Sequence, residues 1–420
     1  MRVLVLSNYF PPKFVGGAET YAYQMGVELV KKGFRVDVIT SRSLGENPVE
    51  DEMDGIRVHR IVPRIFTNII KPNNPFSLYC FNSLFNPLSY RLLPLIKKID
   101  PDIIHLHMIN LFDIIALTRS LVKPTVWTIH DYWPICPLGS LYNFKKDQPC
   151  MKDCARCIYP PLLQGSSKFQ LSRRARALSE LEKKISLFIV PSNFMRKKLL
   201  EFNYVKEDKV RVIRNGINID EFPYTSIEPT KNILFVGKLC REKGCEHLVK
   251  AMPQILSHVP DAKLLIVGPG TEKEKQMLLS LVRELKIEGN VEFLGKIPNV
   301  SSYYQKANVI VLPSITFENC SLVILESLAS GRPVIASALG GTPELIEDGK
   351  TGFLLEPRNP YQISEKVVRV LLDDDLAKKM GKAAREKAEK ELSMRAHIEK
   401  LESVYQQIIS NPCFEKRGEI

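Results

Sequence analysis

Two glutamates eight positions apart, Glu318 and Glu326 in Pro313-Ser314-Ile315-Thr316-Phe317-Glu318-Asn319-Cys320-Ser321-Leu322-Val323-Ile324-Leu325-Glu326, are the residues of this chain best suited to hold a sugar. A carboxylate accepts from vicinal hydroxyls, and eight helical residues make a little over two turns. A helix starting at Asn319 therefore brings both carboxylates to one side, one for a ribose and one for a second sugar. Two glutamates at this spacing also arise by chance, and it is the setting between an apolar run and Gly331-Arg332-Pro333-Val334 that singles them out. Lys238 and Lys243, in Gly237-Lys238-Leu239-Cys240-Arg241-Glu242-Lys243-Gly244, would neutralise a diphosphate and the charge that grows on it when it leaves.

Gly16-Gly17-Ala18-Glu19 opens a helical pattern at Ala22, Met25, Gly26 and Leu29. Paired glycines at a helix start let a phosphate approach backbone N–H groups, although a bare pair also serves as a plain turn. The G-x-G-x-x-G spacing of a nicotinamide dehydrogenase is absent. His130 closes the run Thr125–Ile129 beside Asp131, at the carboxyl end of a strand, where open α/β sheets bind ligands. His105 and His107 alternate on one face of the neighbouring strand and read as cleft lining or packing. Cys136, Cys150, Cys154 and Cys157 form a C-x13-C-x3-C-x2-C run. Four thiolates can make a structural zinc site; unmodified thiols and disulfides are the alternatives. No aspartate-rich set suited to a catalytic metal is present, so no catalytic cofactor is expected.

The elements that must position these residues are short Val- and Ile-rich runs alternating with helical patterns. Val3–Ser7, Arg35–Thr40, Ile56–Val62, Asp102–His107, Thr125–His130, Leu187–Pro191 and Val210–Arg214 form a first set. Asn232–Gly237, Ala262–Gly268, Asn290–Gly295, Asn308–Pro313 and Pro333–Ser337 form a second. Such alternation predicts two doubly wound, Rossmann-like α/β domains. The polar, proline-bearing stretch Glu221–Thr230 reads as their linker. The boundaries are then 1–222, with a cysteine-bearing insertion at about 131–165, then 223–395, and a closing helix at 396–420 that returns to the first domain. The segment Phe66–Leu95, rich in aromatics and prolines, is too interrupted for one helix.

A chain of 420 residues exceeds a single ordinary core. No apolar stretch reaches the roughly 20 residues of a membrane span, and the first residues read as a strand, not a signal peptide. A cytoplasmic protein is expected, peripheral at the inner face of the plasma membrane. The net charge of +12 points to an anionic partner, and cations are concentrated between Lys168 and Arg214. That stretch fits a solvated helical face, a footprint for anionic lipid, or nucleic acid, of which nucleic acid is the least expected.

Gly16-Gly17-Ala18-Glu19, His130-Asp131, Asn215-Gly216-Ile217, Gly237 to Gly244, Glu318 to Glu326 and Gly340-Gly341 stand in an order that resembles the retaining glycosyltransferases of family 4, over nearly the whole chain. The resemblance implies a GT-B fold, two Rossmann-like domains facing a central cleft, that moves a hexose-type sugar from a nucleotide-diphosphate donor to a lipid-linked or polysaccharide acceptor. It implies catalytic roles for His130, Glu318, Lys238 and Lys243, with Glu326 on the ribose and Gly295 to Ile297 near the base. Gly16, Gly17, Asn319, Ser321 and Leu322 complete the expected donor contacts. The family more often has arginine where Lys238 stands, and proline or glycine at Ser321. The alternative function is a non-catalytic module whose basic surface binds anionic lipid or nucleic acid.

Overall fold

The computed structural model describes residues 1–12, 16–41, 49–61, 91–110, 112, 114–143, 147–150, 154, 157 and 164–410. Most of the aromatic segment Phe66–Leu95, up to Tyr90, and residues 144–146, 151–153, 155–156 and 158–163 of the insertion lie outside them. The chain divides into two compact units, Met1–Arg214 with His397–Ile420, and Asn215–Ala396.

In the first unit the strands are β1 (Arg2–Ser7), β2 (Arg35–Ser41), β3 (Glu50–Met53), β4 (Ile56–Ile61), β5 (Ile103–Leu106), β6 (Thr125–Thr128), β7 (Tyr142–Asn143), β8 (Gln148–Pro149), β9 (Leu187–Val190) and β10 (Val210–Val212). Eight of them form one sheet in the order β10-β9-β6-β5-β1-β2-β4-β3, and β7 and β8 pair separately. Every pairing in the large sheet is parallel except the hairpin of β3 with β4. Strands covered on both faces read as unbroken apolar runs, which is why β5, β6 and β9 are buried along their whole length. The hairpin turns at Asp54-Gly55, both at positive φ (51° and 77°), the backbone that a two-residue turn between twisted strands needs.

The second unit contains β11 (Asn232–Val236), β12 (Lys263–Val267), β13 (Val291–Gly295), β14 (Val309–Leu312), β15 (Val334–Ser337) and β16 (Gly352–Leu355), all parallel, in the order β13-β12-β11-β14-β15-β16. This doubly wound order reverses between β11 and β14, as the first sheet reverses between β1 and β5. At such a reversal the following loops diverge and leave a crevice at the carboxyl ends of the strands.

Two expectations shift. The unit boundary falls at Arg214/Asn215, not at 222/223, and the stretch expected as a linker is stitched into the second unit. Fully buried Arg332 donates to the Thr225 carbonyl and to its Oγ1, both at 2.7 Å, and Ile227 packs in that unit's core. The strand β16 was not foreseen. The final helix, Met394–Ile409, supplies His397, Ile398, Leu401, Val404 and Tyr405 to the interior, and from His397 onward it belongs to the first unit.

Candidate active site

The second unit places its charges at the β11/β14 reversal. After β11 the chain turns through Arg241–Lys243 to Gly244, which adopts φ 67°. A Cβ on Gly244 would lie 1.9 Å from the Pro313 carbonyl oxygen, so only glycine lets this loop close onto the end of β14. The Ile315 N–H donates to the Glu242 carbonyl at 2.9 Å and ties the two loops together. Lys243 Nζ then donates to Glu318 Oε1 at 2.6 Å, across 75 residues of sequence, and the Ser314 hydroxyl donates to the same oxygen at 2.7 Å.

Glu318 is fixed by its backbone as well. It bridges Gly340, whose Cβ would lie 2.1 Å from the Glu318 carbonyl oxygen, and that oxygen accepts from the Gly341 N–H at 2.6 Å. Gly340 and Gly341 are thus the clamp that sets Glu318. Burial works against the charge on both partners, yet Lys243 and Ser314 outweigh it and hold the Glu318 carboxyl below its ordinary range. The Lys243 ammonium is held above its own range by Glu318. The pair is charged at neutral pH, with the lysine side chain 29% exposed and the glutamate 14%.

Glu326 has a different environment. The helix spans Leu322–Ala329 with Ser321 as its N-cap, so it begins three residues later than a start at Asn319 implies, and Glu318 precedes it in the clamped loop. Tyr304 donates to Glu326 Oε2 at 2.6 Å and leaves Oε1 for another donor. Burial pushes the Glu326 carboxyl up to about 7, with Glu221 adding to the rise and Tyr304 opposing it.

Of the other expected donor contacts, Lys238 is exposed and has no side-chain partner among the described residues. Asn319 and Ser321 are buried, Leu322 is the first helical residue, Gly295 ends β13 at φ 68°, and Ile297 is half-buried. The Gly268 N–H donates to the Gly295 carbonyl at 2.8 Å.

In the first unit Gly16 caps the helix Gly17–Lys31, and Glu19 reaches back to accept from the Gly16 N–H at 2.9 Å. Gly16 and Gly17 are exposed. The β1/β5 reversal is armed with histidines. His107 Nδ1 lies 2.9 Å from His130 Nε2, with the rings stacked at 17° and 5.3 Å, and the His105 ring lies 4.2 Å from that of His107. His105 is held at both ends, by Tyr405 Oη at 2.6 Å and Thr128 Oγ1 at 2.7 Å. Tyr21 stands edge-on to His130 and shares a hydrogen bond with His397.

Burial, helped by repulsion from neighbouring imidazoles, lowers His105 and His130 to about 3 and pushes His107 well down, and burial, with Lys400 adding and the Arg214 carbonyl opposing, lowers His397 to about 4. All four imidazoles are neutral at physiological pH. His107 Nε2 is buried with no partner among the described residues. A bare lone pair is tolerated there better than a bare N–H, so the His107 proton sits on Nδ1 and is donated to His130 Nε2. His130 accordingly carries its own proton on Nδ1. Beside it, burial raises Asp131 to about 6 although its Oδ1 accepts from the Trp133 N–H at 2.9 Å.

Cys136 is buried, and Cys150, Cys154 and Cys157 are half-buried. The Cys136 carbonyl accepts from the Gly139 N–H, and the Cys150 N–H donates to the Leu141 carbonyl at 2.9 Å. Burial, with Cys136 and Cys150 adding, pushes the Cys154 thiol up to about 12. The described residues contain no group of three or more His, Cys, Asp or Glu side chains arranged around a metal position. Sequence reasoning did not find Ser314, Tyr304, Tyr21, Tyr405 or His397. Each is tied to its site residue by a contact that local spacing does not encode, and only Ser314, four residues before Glu318, lay within reach of a motif.

Comparison with known proteins bears on the whole chain. Residues 217–387 match the family described as Glycosyl transferases group 1, and residues 15–221 match Glycosyltransferase Family 4. A glycosyltransferase of Methanocaldococcus jannaschii is 29% identical over 89% of this chain and 90% of its own. N-acetyl-alpha-D-glucosaminyl L-malate synthase of Bacillus anthracis is 26% identical over 97% of each. Among solved structures, sucrose-phosphate synthase from Thermosynechococcus elongatus aligns with a TM-score of 0.75 at 23% identity, over 97% of this chain and 99% of that one. Anabaena HepE in complex with UDP-glucose aligns with a TM-score of 0.71 at 17% identity, over 97% and 100%. The chain belongs to the family 4, group 1 glycosyltransferases and has their GT-B fold.

Proposed function

We propose that this glycosyltransferase moves a hexose-type sugar from a nucleotide-diphosphate donor to a lipid-linked or polysaccharide acceptor, with retention at the anomeric carbon and no catalytic metal. The observation that carries this reading is the charged Lys243–Glu318 pair at the β11/β14 reversal. A diphosphate entering there finds an ammonium already held in its charged form. Glu318 retains an oxygen for sugar hydroxyls while Lys243 and Ser314 occupy the other.

In the reaction the anomeric C–O bond to the diphosphate breaks, and the acceptor oxygen bonds to the same face of an oxocarbenium-like sugar. The acceptor proton passes to the departing phosphate oxygen, so no enzymic nucleophile is required. Lys243 stabilises the growing phosphate charge, with Lys238 and the helix start at Gly16-Gly17 adding to it. Glu326 accepts from the ribose, and neutral His130 offers a hydrogen bond to the transferred sugar without placing a second cation beside an oxocarbenium centre.

Support for the donor class comes from the family and from the HepE structure, which holds UDP-glucose. The test is a thermal-shift screen of nucleotide-sugars, followed by NMR of the product anomer. A donor that binds the folded state raises its melting temperature. If no nucleotide-sugar shifts the melt, or the product is inverted, the reading fails.

We further propose that the enzyme works at the cytoplasmic membrane face and that Cys136, Cys150, Cys154 and Cys157 hold a structural zinc. The support for the zinc reading is the run of four cysteines itself, since four thiolates can make a tetrahedral structural site. Zinc in the purified protein, lost on Cys154→Ser, is the expected result; metal-free, fully stable protein would overturn it.

A further inference from the structure

Outside the site, the first unit has a groove between the helices Ile114–Ser120 and Gln164–Lys184, lined by Ile115, Thr118, Arg119, Arg173, Arg176 and Ala177, with Glu180 at its edge. The lining follows from helical spacing. Ile115, Thr118 and Arg119 recur at i, i+3 and i+4 on the shorter helix, and Arg173, Arg176, Ala177 and Glu180 at i, i+3, i+4 and i+7 on the longer one. Two facing helical stripes thus bring three guanidinium groups to one depression.

The charge there is one-sided. Glu180, the single carboxylate of the lining, is engaged by Lys183 at 2.6 Å. Arg119 and Arg176 form no ion pair among the described residues. Exposed apolar side chains stand beside these cations. Phe169, one turn before Arg173 on the same stripe, is 67% exposed, with the Arg173 guanidinium 5.8 Å from its ring centroid. Ile115 and Val122 are 37% and 39% exposed. Guanidinium groups set beside exposed Phe169 and Ile115 match the boundary of a bilayer, where phosphate headgroups meet acyl chains.

We propose that this groove takes the phosphate headgroups of an anionic phospholipid bilayer and docks the first unit on it, with Phe169 entering the headgroup layer. A nucleic acid would be served by the arginines but not by the exposed apolar side chains. The inference rests on the reading that the acceptor is met at a membrane and assigns the surface that makes the contact.

The test is cosedimentation of the full chain with phosphatidylcholine vesicles, with and without phosphatidylglycerol. The wild type is expected to pellet only with phosphatidylglycerol, and less as salt rises. Each surface cation changes partitioning by about fivefold, so Arg119→Gln/Arg173→Gln/Arg176→Gln should lower it roughly a hundredfold. Phe169→Ser should lower it less and leave the salt dependence intact. Donor hydrolysis without lipid should stay at the wild-type rate in every variant, which separates failure here from failure of the transfer reading. Arg119→Gln/Arg176→Gln, confined to two exposed side chains, guards against misfolding of the triple variant and should lose about twenty-fivefold by the same factor. A wild type that ignores phosphatidylglycerol, a triple variant that partitions normally, or one that loses a single-stranded oligonucleotide in place of vesicles overturns the proposal.

Discussion

The two sheets reverse strand order in the same way, yet the crevices at their reversals are armed oppositely. At β11/β14 the second unit keeps an ammonium and a carboxylate 2.6 Å apart, each holding the other charged against burial. At β1/β5 the first unit stacks imidazoles that burial keeps neutral and that hydrogen bonds, not charge, hold in place. A fold supplies the position, and side chains decide what chemistry the position performs. A charged pair suits a crevice that must hold an anion, and a neutral hydrogen-bonding cluster suits one that meets uncharged hydroxyls.

The comparison breaks most visibly at Glu318. Glu318→Gln keeps an acceptor for Ser314 but removes the charge opposite half-buried Lys243, so kcat/KM should fall about a thousandfold while the melting temperature drops by a few degrees and the chain stays folded. A loss below tenfold would mean the pair is structural.

The histidine side should answer to pH instead. Each imidazole has a folded pKa depressed from about 6.5 toward 3 or 4, so the unfolded chain binds protons first as pH falls. Their contribution is complete above about pH 6.5 and is lost as pH drops toward the folded values, at about 1.4 kcal/mol per imidazole per pH unit. Asp131, raised to about 6, opposes this over part of the window. Melts from pH 7 to 5 should show a loss of several kcal/mol, reduced to about the share of the remaining His130 in a His105→Gln/His107→Gln/His397→Gln variant that still folds.

His107 sharpens the picture on a smaller scale. If it donates to His130 and so fixes the tautomer, His107→Leu should lower kcat about tenfold. His107→Gln, which keeps an N–H donor, should recover most of that loss. Equal losses in the two variants would refute the donation. Smaller still is Glu326: with its carboxyl near 7, the donor KM should fall severalfold between pH 6 and 8 as the ribose acceptor ionises, and Glu326→Gln should flatten the profile.

Much of this was legible in the sequence, for identifiable reasons. Strands buried on both faces leave unbroken Val and Ile runs, so the strand ends carrying Lys238, Glu318 and His130 could be located. Residues at the ends of parallel strands are the ones a crevice gathers. The hairpin β3/β4 escaped because Glu50-Asp51-Glu52-Met53 is charged, although Asp54-Gly55 marks its turn. The helix starts at Leu322 and not at Asn319, because the loop through Glu318 is held by Gly340 and Gly341, a contact far away in sequence. The lysine assignments illustrate the limit of spacing. Lys238 and Lys243 look equivalent in a motif, but only the closure at Gly244 brings Lys243 to Glu318 and leaves Lys238 exposed.

The most direct trial of the account is donor turnover by Lys243→Ala beside the wild type, with a melt of each. If Lys243 meets the leaving diphosphate, kcat falls by two to three orders of magnitude, roughly the effect of removing one transition-state donor, while the donor KM changes little and the fold persists. Turnover within a few-fold of wild type by a folded variant would contradict the account.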